Sequence, residues 1–454
     1  MFKKILIANR GEISLRVTRA AHELGLQTVA IFSEADRDAL FVRAADEAFC
    51  VGPGPAARSY LNVPNIISAA QISGCDAVHP GYGFLAENAR FAEICTDHRL
   101  TFIGPTPAVI AQMGDKASAK RAMEKAGVPT TPGSGVLATI AEARDAAVRV
   151  GYPVLLKATA GGGGKGMRAV RDESELEHAF ATAQAEAEAN FKDGRLYLEK
   201  LIERPRHIEV QVLGDAAGNV VHVGERDCSV QKPSHQKLIE EAPAPNLSER
   251  TRRKLHQTAV TAARAVGYTG AGTLEFLVVG DDVFFMEMNT RIQVEHPVSE
   301  AIYGVDLVGE QIKIAAGERL ALRQKDLVPR GHAIECRINA EDATANFAPA
   351  AGKLEEVAFP GGLGIRVDAA IAAGSTVPPY YDSLLAKIVA HAPTREAAIV
   401  RLDAALAETH IRGVHTTIGI CRRVLADDVY RRGGFGVDYL PAFVAAAPAA
   451  TVSA

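Results

Sequence analysis

The strongest constraint on the fold is a short turn signal between two apolar stretches. Gly280-Asp281-Asp282 separates Gly272–Val279 from Val283–Asn289, and a run of this kind predicts a β-hairpin. If Val279 pairs with Val283, residue 275 pairs with residue 287. Glu275 then faces Glu287 on one side of a sheet, where like charges repel. A divalent cation between them removes the conflict. Asn289 lies two residues further along the same face. Two carboxylates and an amide oxygen, completed by substrate phosphates, suit Mg²⁺ or Mn²⁺. The alternation then continues. Glu287, Asn289, Arg291, Gln293 and Glu295 occupy every second position, with Met286, Met288, Ile292 and Val294 between them. As a single strand these five form one polar rail, carrying metal ligands, an anion-binding arginine and a general base in order.

The second constraint is Gly161-Gly162-Gly163-Gly164-Lys165-Gly166, between the apolar stretch Tyr152–Ala158 and Met167–Val170. Glycines let backbone N–H groups approach phosphate oxygens closely. Met167 stands where a Walker A loop needs lysine, which excludes that motif. A glycine loop joining two strands suits a flap over nucleotide phosphates, with Lys157 on the entering strand within reach. The HRD and DFG motifs of protein kinases are absent. Arg337 shares a strand face with Glu335 and Asn339, and His235 and Lys237 follow Gln231 in a polar segment.

Around these motifs, residues 1–110 alternate strands (Lys4–Ala8, Thr28–Phe32, Asp76–His79, Leu100–Ile103) with helices such as Glu12–Leu24, a βαβ pattern implying a parallel sheet. A polar helix is predicted over 114–130 and an Ala/Glu-rich one over 174–190. Residues 196–315 read as mostly strands with one helix near 248–266. A β-rich region begins near 330, with helices near 395–408 and 416–426. Pro441–Ala454 reads as a low-complexity, disordered tail. At 454 residues, about three domains are expected.

Composition narrows the class. The 50 basic and 54 acidic residues leave a net charge of −4, which argues against a protein held to nucleic acid or a membrane surface by bulk charge. No run of 18 apolar residues exists, so no transmembrane helix is expected. The opening apolar run ends at Asn9-Arg10-Gly11-Glu12, too short for a signal peptide. The six cysteines include no C-x-x-C pair and are expected to be reduced, buried and cytoplasmic.

Several segments together resemble the biotin carboxylase family of the ATP-grasp superfamily, from Lys4 to about Leu440. They are Ile7-Ala8-Asn9-Arg10-Gly11-Glu12-Ile13, His79-Pro80-Gly81-Tyr82-Gly83-Phe84-Leu85, Lys157 with the glycine run, and Glu240-Glu241-Ala242-Pro243-Ala244-Pro245. Met288-Asn289-Thr290-Arg291-Ile292-Gln293-Val294-Glu295-His296 and Tyr380-Tyr381-Asp382-Ser383 complete the set. The resemblance implies a mixed α/β and α+β fold. It comprises an N-terminal, Rossmann-like preATP-grasp domain (1–113), an ATP-grasp domain (114–330) with a lid over about 131–203, a β-rich C-terminal biotin carboxylase domain (331–440) and a tail (441–454).

It also implies the chemistry. ATP activates bicarbonate as carboxyphosphate, which breaks down to CO₂ and phosphate. The phosphate takes the ureido proton of biotin, and the resulting enolate attacks CO₂. By resemblance, Lys116, Lys157, Gly163 and Gly164 meet the nucleotide phosphates. Glu199, Lys200, Leu201 and Ile202 form an adenine hinge. His207, Gln231, His235 and Leu277 line the nucleotide, and Glu275 and Glu287, with Asn289, hold the metal, with two metal sites expected. Lys237, Arg291, Gln293 and Val294 hold bicarbonate, Glu295 is its base, and Arg337 stabilises the biotin enolate. Tyr82 and Asp382 lie on the biotin side.

The family reads Gln-Arg-Arg-His-Gln-Lys where this chain has Gln231-Lys232-Pro233-Ser234-His235-Gln236-Lys237, one residue longer and bent by proline. His235 and Lys237 keep their spacing. The length leaves no room for a carboxyltransferase, and no Ala-Met-Lys-Met biotin-attachment segment is present; Ala122-Met123-Glu124-Lys125 is a likeness inside a helix. Biotin is therefore expected on a separate carboxyl carrier protein, with separate carboxyltransferase subunits, in a homodimer serving an acetyl-CoA carboxylase. Propionyl-CoA, methylcrotonyl-CoA or pyruvate carboxylase are the alternatives, followed by another ATP-grasp ligase and a non-catalytic homologue.

Overall fold

The computed structural model describes residues 1–159 and 167–446. The predicted flap glycines, with Gly163 and Gly164, lie outside these residues, as do residues 447–454.

The N-terminal region is a five-stranded parallel sheet in the order Glu47–Gly52, Gln27–Ser33, Lys4–Ile7, Ala77–His79, Thr101–Phe102. The central strand shows why. Ile5, Leu6 and Ile7 are all fully buried, the continuous apolar run that a doubly covered parallel strand needs. The helix Gly11–Glu23 ends at Leu24, and Gly25 follows at φ +73°, where its lack of a Cβ allows the left-handed turn.

The lid is a three-stranded antiparallel sheet, Met167–Val170, Val154–Ala158, Leu196–Lys200, packed against Ile140–Val150 and Glu173–Phe191. The hairpin expected around the glycine run is therefore present, with Lys157 opposite Met167.

The remaining strands build one eight-stranded antiparallel sheet, ordered Asp282–Asn289, Gly270–Val279, Arg206–Gly214, Val220–Gln231, Lys237–Ala242, His332–Asn339, Leu384–Ala392, Ile365–Ala369. The expected boundary at 330/331 falls between sequence segments, but the backbone ladder crosses it. Glu240 pairs with Glu335 and Ile239 with Cys336. Parallel-sheet residues Ile5 and Ile7 share a core with Leu213 and Ile292, so the N-terminal region packs on this sheet.

Four expectations need correction. The helix over 114–130 is two, Pro107–Gly114 and Lys116–Lys125, separated by Asp115, whose carboxylate accepts the Ser118 N–H (2.7 Å) and caps the second. The strand-rich stretch 196–315 also holds helices His296–Tyr303 and Leu307–Ala315. Pro297 starts the first, Gly304 at φ +65° ends it, and Asp306 caps the second. The start of the expected tail is ordered instead, because Tyr439–Ala445 is helical. Phe435, just ahead of the helix, meets Tyr439, and Tyr439 meets Phe443, in tilted ring contacts at 4.6 and 5.8 Å between centroids, and Leu440 is buried. All six cysteines are free, but Cys50 is exposed and Cys75 only partly covered.

Candidate active site

The hairpin reaches the predicted pairing by an unexpected route. Val279 pairs with Asp282 and Val278 with Val283, one residue away from the anticipated register. A β-bulge between Phe276 and Glu275 then inserts Met286, and Glu275 does face Glu287. A bulge places two residues opposite one, so it restores the side-chain parity that the turn lost.

The polar rail does not continue as a strand. The ladder ends at Asn289, residues 290–295 are irregular, and Glu295 is the N-cap residue of His296–Tyr303. Free of a ladder, this segment turns its side chains back. Gln293 Nε2 donates to Glu275 Oε1 (3.1 Å), and Arg291 donates to Glu87 (2.9 Å), Gln293 (2.8 Å) and Asn289 (3.1 Å).

A cleft of about 750 Å³ runs beneath the lid. It is lined by Lys116, Lys157, Glu199, Lys200, Leu201, Ile202, His207, Gln231, His235, Lys237, Glu275, Leu277, Glu287, Asn289, Arg291, Gln293, Val294, Arg337, Tyr82 and Asp382. Glu295 is fully buried just behind this wall. Apart from the flap glycines, every residue singled out from the sequence is thus at or beside one cavity.

Its electrostatics are organised around Lys237. The ammonium lies 2.6 Å from Glu209, 2.9 Å from Glu275 and 2.6 Å from Glu295. Burial opposes its charge, but these acids more than offset that and push its pKa well up. Glu295 also accepts Arg337 Nη2 at 2.9 Å, and Arg337 Nε donates to Glu240 at 2.6 Å. Burial would raise the Glu295 carboxyl, yet Lys237, Arg337 and Arg226 hold it well below the usual carboxylate range.

Glu275 accepts from Lys237, Asn289 and Gln293 and lies 3.1 Å from His207 Nε2, and its carboxyl is pulled low despite burial. Glu287 accepts no hydrogen bond among the described residues. Burial and the charge of Glu275 raise its carboxyl. One satisfied acid facing one unsatisfied acid is a donor set that fits a hard divalent cation. Asn289 fits less simply, because its oxygen accepts from Arg291 (3.1 Å).

At the lid end, Lys157 pairs with Glu199 at 2.5 Å and Lys120 with the same carboxylate at 3.0 Å. Lys116 opens a helix, where the backbone dipole disfavours a cation, and burial lowers its pKa. A cation placed against both effects is positioned for something outside the helix. Lys200 is tied to the carbonyls of Gly151 (3.0 Å) and Tyr152 (2.8 Å), so its ammonium joins the end of its strand to the turn before Val154–Ala158. Gln231 Nε2 lies 3.0 Å from His207 Nδ1.

The extra residue makes a tight turn. The His235 N–H donates to the Lys232 carbonyl (2.8 Å), and His235 sits exposed at φ +63° on the cleft rim. Lys232 points inward to Glu341 at 2.7 Å. On the far side, the Tyr82 hydroxyl donates to Glu12.

Sequence reasoning missed Glu209, Glu240, Glu87 and Lys120, each of which partners an expected site residue. For Glu209 and Glu240 the signal was charge inside a strand; Lys120 lies in the helix Lys116–Lys125 and Glu87 in a turn, where a charge is ordinary. Glu209 and Glu240 are fully buried in strand interiors, where acids almost never occur without partners.

Three family models tile the chain. The N-terminal domain of biotin carboxylase matches residues 1–110, the ATP-binding domain of the carbamoyl-phosphate synthase L chain residues 115–323, and the biotin carboxylase C-terminal domain residues 335–442. The chain belongs to the biotin carboxylase family. It is an ATP-grasp enzyme of the ATP-dependent ligase class.

The chain is 55% identical to a biotin carboxylase of Nostoc sp. over 97% of this chain and 98% of that one. It is 52% identical to biotin carboxylase 1 of Bacillus subtilis over 98% and 99%. A solved biotin carboxylase of Campylobacter jejuni, in complex with a β,γ-ATP ligand, superposes with a TM-score of 0.94 at 48% identity, covering 97% of this chain and 99% of that one. The biotin carboxylase domain dimer of Hydrogenobacter thermophilus 2-oxoglutarate carboxylase, solved with MgADP, ADP and bicarbonate, superposes with a TM-score of 0.93 at 51% identity over 97% and 98%. Among the described residues, no helix is long and apolar enough to cross a membrane.

Proposed function

We propose that this biotin carboxylase uses ATP and bicarbonate to carboxylate biotin carried on a separate protein, and that Glu295 is the base. The observation that carries this reading is the double pairing of Glu295 with Lys237 and Arg337, at the junction of the nucleotide and biotin ends of one cleft.

Lys116 and Lys157 meet the phosphates of ATP, with Lys157 leaving Glu199 to do so. Mg²⁺ or Mn²⁺ bound at Glu275 and Glu287 supplies positive charge to the phosphate oxygens, and two ions are expected. Bicarbonate sits between Lys237, Arg291, the Gln293 amide and the Val294 backbone. In the resting site Glu295 is a weak base, because two cations hold it ionised. When bicarbonate takes up Lys237 and biotin takes up Arg337, Glu295 loses stabilisation and its proton affinity rises. It then accepts the bicarbonate proton, and the freed oxygen attacks the γ-phosphorus as ADP leaves. Arg337 next faces the enolate oxygen of biotin, a charge that develops during reaction. Tyr82 borders the biotin end, with Asp382 at the rim.

The chain works with a biotin carboxyl carrier protein and carboxyltransferase subunits, as a cytoplasmic homodimer in an acetyl-CoA or related carboxylase. The test is ATP hydrolysis by purified protein with Mg²⁺. Turnover should require bicarbonate, rise with free biotin and vanish with a chelator. ATP hydrolysis indifferent to bicarbonate and biotin would overturn the assignment.

A further inference from the structure

The strand Leu384–Ala392 carries a lysine that the reaction does not use. Lys387 has 0% of its surface exposed, a position lysine almost never holds without partners. Its register partners are Arg337 on one side and Asp368 on the other. Its ammonium lies 3.2 Å from Glu12 and 3.7 Å from Asp368, and donates to the carbonyl of Val294 at 2.9 Å. Glu12 and Asp368 face it with opposite charge, Asp368 being shared with Arg366 at 2.8 Å. Burial opposes the charge, while Glu12, Glu335 and Asp368 restore it, and the net shift is upward. The Val294 carbonyl carries no charge, so this contact does something besides neutralisation.

Val294 belongs to the irregular segment 290–295, where carbonyls are held outside any ladder: that of Gln293 by His296 (2.7 Å), that of Glu295 by the Val298 N–H (3.3 Å) and that of Val294 by Lys387. Its neighbours are Gln293, held by Glu275, and Glu295, held by Lys237 and Arg337. A peptide plane pinned at the Val294 carbonyl fixes the direction of the Glu295 N–H and the start of the base's side chain. Lys387 reaches this plane from the C-terminal part of the sheet, across the boundary between sequence segments.

We propose that Lys387 is a positioning residue that sets the Gln293-Val294-Glu295 backbone for bicarbonate and for the base. This rests on the function proposed above, and the test separates the two. Parent protein, Lys387→Met and Lys387→Arg are assayed for bicarbonate-dependent ATP turnover with free biotin. A parent without bicarbonate dependence refutes the function itself. With an active parent, Lys387→Met should raise the KM for bicarbonate or lower kcat by about tenfold or more, leave the KM for ATP within about twofold, and be partly rescued by Lys387→Arg, which keeps a charged donor. If Lys387→Met does not fold, Lys387→Met/Asp368→Asn, which removes one charge of each sign, replaces it. Unchanged bicarbonate kinetics, an equal rise in both KM values, or loss of folding in both variants overturns the proposal.

Discussion

Glu295→Gln separates catalysis from stability more cleanly than any other change in the site. The substitution removes a negative charge that is fully buried and accepts from two cations. Losing one partner of a buried pair commonly costs about 3–5 kcal/mol, because the other charge is left alone. Here neither cation is left alone. Lys237 keeps Glu209 at 2.6 Å and Glu275 at 2.9 Å, and Arg337 keeps Glu240 at 2.6 Å. The amide oxygen can still accept one of the two bonds. The loss should therefore be that of a charge-assisted hydrogen bond, about 1.5–3 kcal/mol, read as a lower urea midpoint with an unchanged slope. Turnover should fall much further. A general base contributes about 10²–10⁴-fold, or about 3–5 kcal/mol of barrier at 1.36 kcal/mol per decade. Stopped-time ADP release with saturating ATP, bicarbonate and biotin gives kcat, and nucleotide titration gives ATP affinity, which should persist. A folded variant retaining turnover within tenfold of the parent would refute Glu295 as the base. A loss well above about 5 kcal/mol in urea would refute the claim that the remaining acids compensate Lys237 and Arg337.

Two further outcomes follow from buried charge. Glu335 is fully buried, neither carboxylate oxygen has a hydrogen-bond partner among the described residues, and burial pushes its carboxyl well above the usual range. An acid raised in the folded state stabilises it below the unfolded value near 4.5 and loses that contribution as pH rises toward the folded value. Glu335→Gln should match the parent near pH 4.5 and gain on it by about 1.4 kcal/mol per pH unit above that; parallel pH–stability curves from urea melts would sink this. Lys232→Met should cost about 3–5 kcal/mol, because Glu341, 4% exposed, loses its cation, whereas Lys232→Met/Glu341→Gln should recover much of it. A single variant within 1 kcal/mol of the parent in chemical denaturation would show that the pair is not structural.

Much of this site was readable from the sequence because its residue types are expensive where they stand. Glu275 and Glu287 lie in strand-like apolar surroundings, so their pattern stood out, whereas Lys237 follows a polar segment and drew its role from the resemblance alone. The parallel sheet was legible from continuous apolar runs such as Ile5-Leu6-Ile7. What escaped were features set by long-range pairing. The continuous sheet across 330/331 depends on Lys237–Ala242 meeting His332–Asn339, and no local signal announces a partner about a hundred residues away. The rail from Glu287 to Glu295 was overextended because period-two polarity persists for a few residues after the ladder stops at Asn289. Pro297, Gly304 and Asp306 were present as helix signals but were outweighed by the surrounding β pattern. The helix at Tyr439–Ala445 was hidden by its alanines, which suggest low complexity until Phe435, Tyr439 and Phe443 are counted at intervals of four.

The bulge at Met286 gives the hairpin a phase shifter. Between the turn and the two acids, the ladder slips by one position and recovers the face it would otherwise miss. The same pair of carboxylates could be brought together by a turn of different length and no bulge at all. A one-residue change in length at the tip is thus taken up by the presence or absence of the bulge at residue 286. Eleven residues separate Glu275 from Glu287, so one deletion at Gly280-Asp281-Asp282 or deletion of Met286 should each leave a regular two-residue hairpin with the acids still paired, and both deletions together should be worse than either alone. The chemistry is indexed from the neighbouring strand Arg206–Gly214, and the loop that joins the two halves is free to drift.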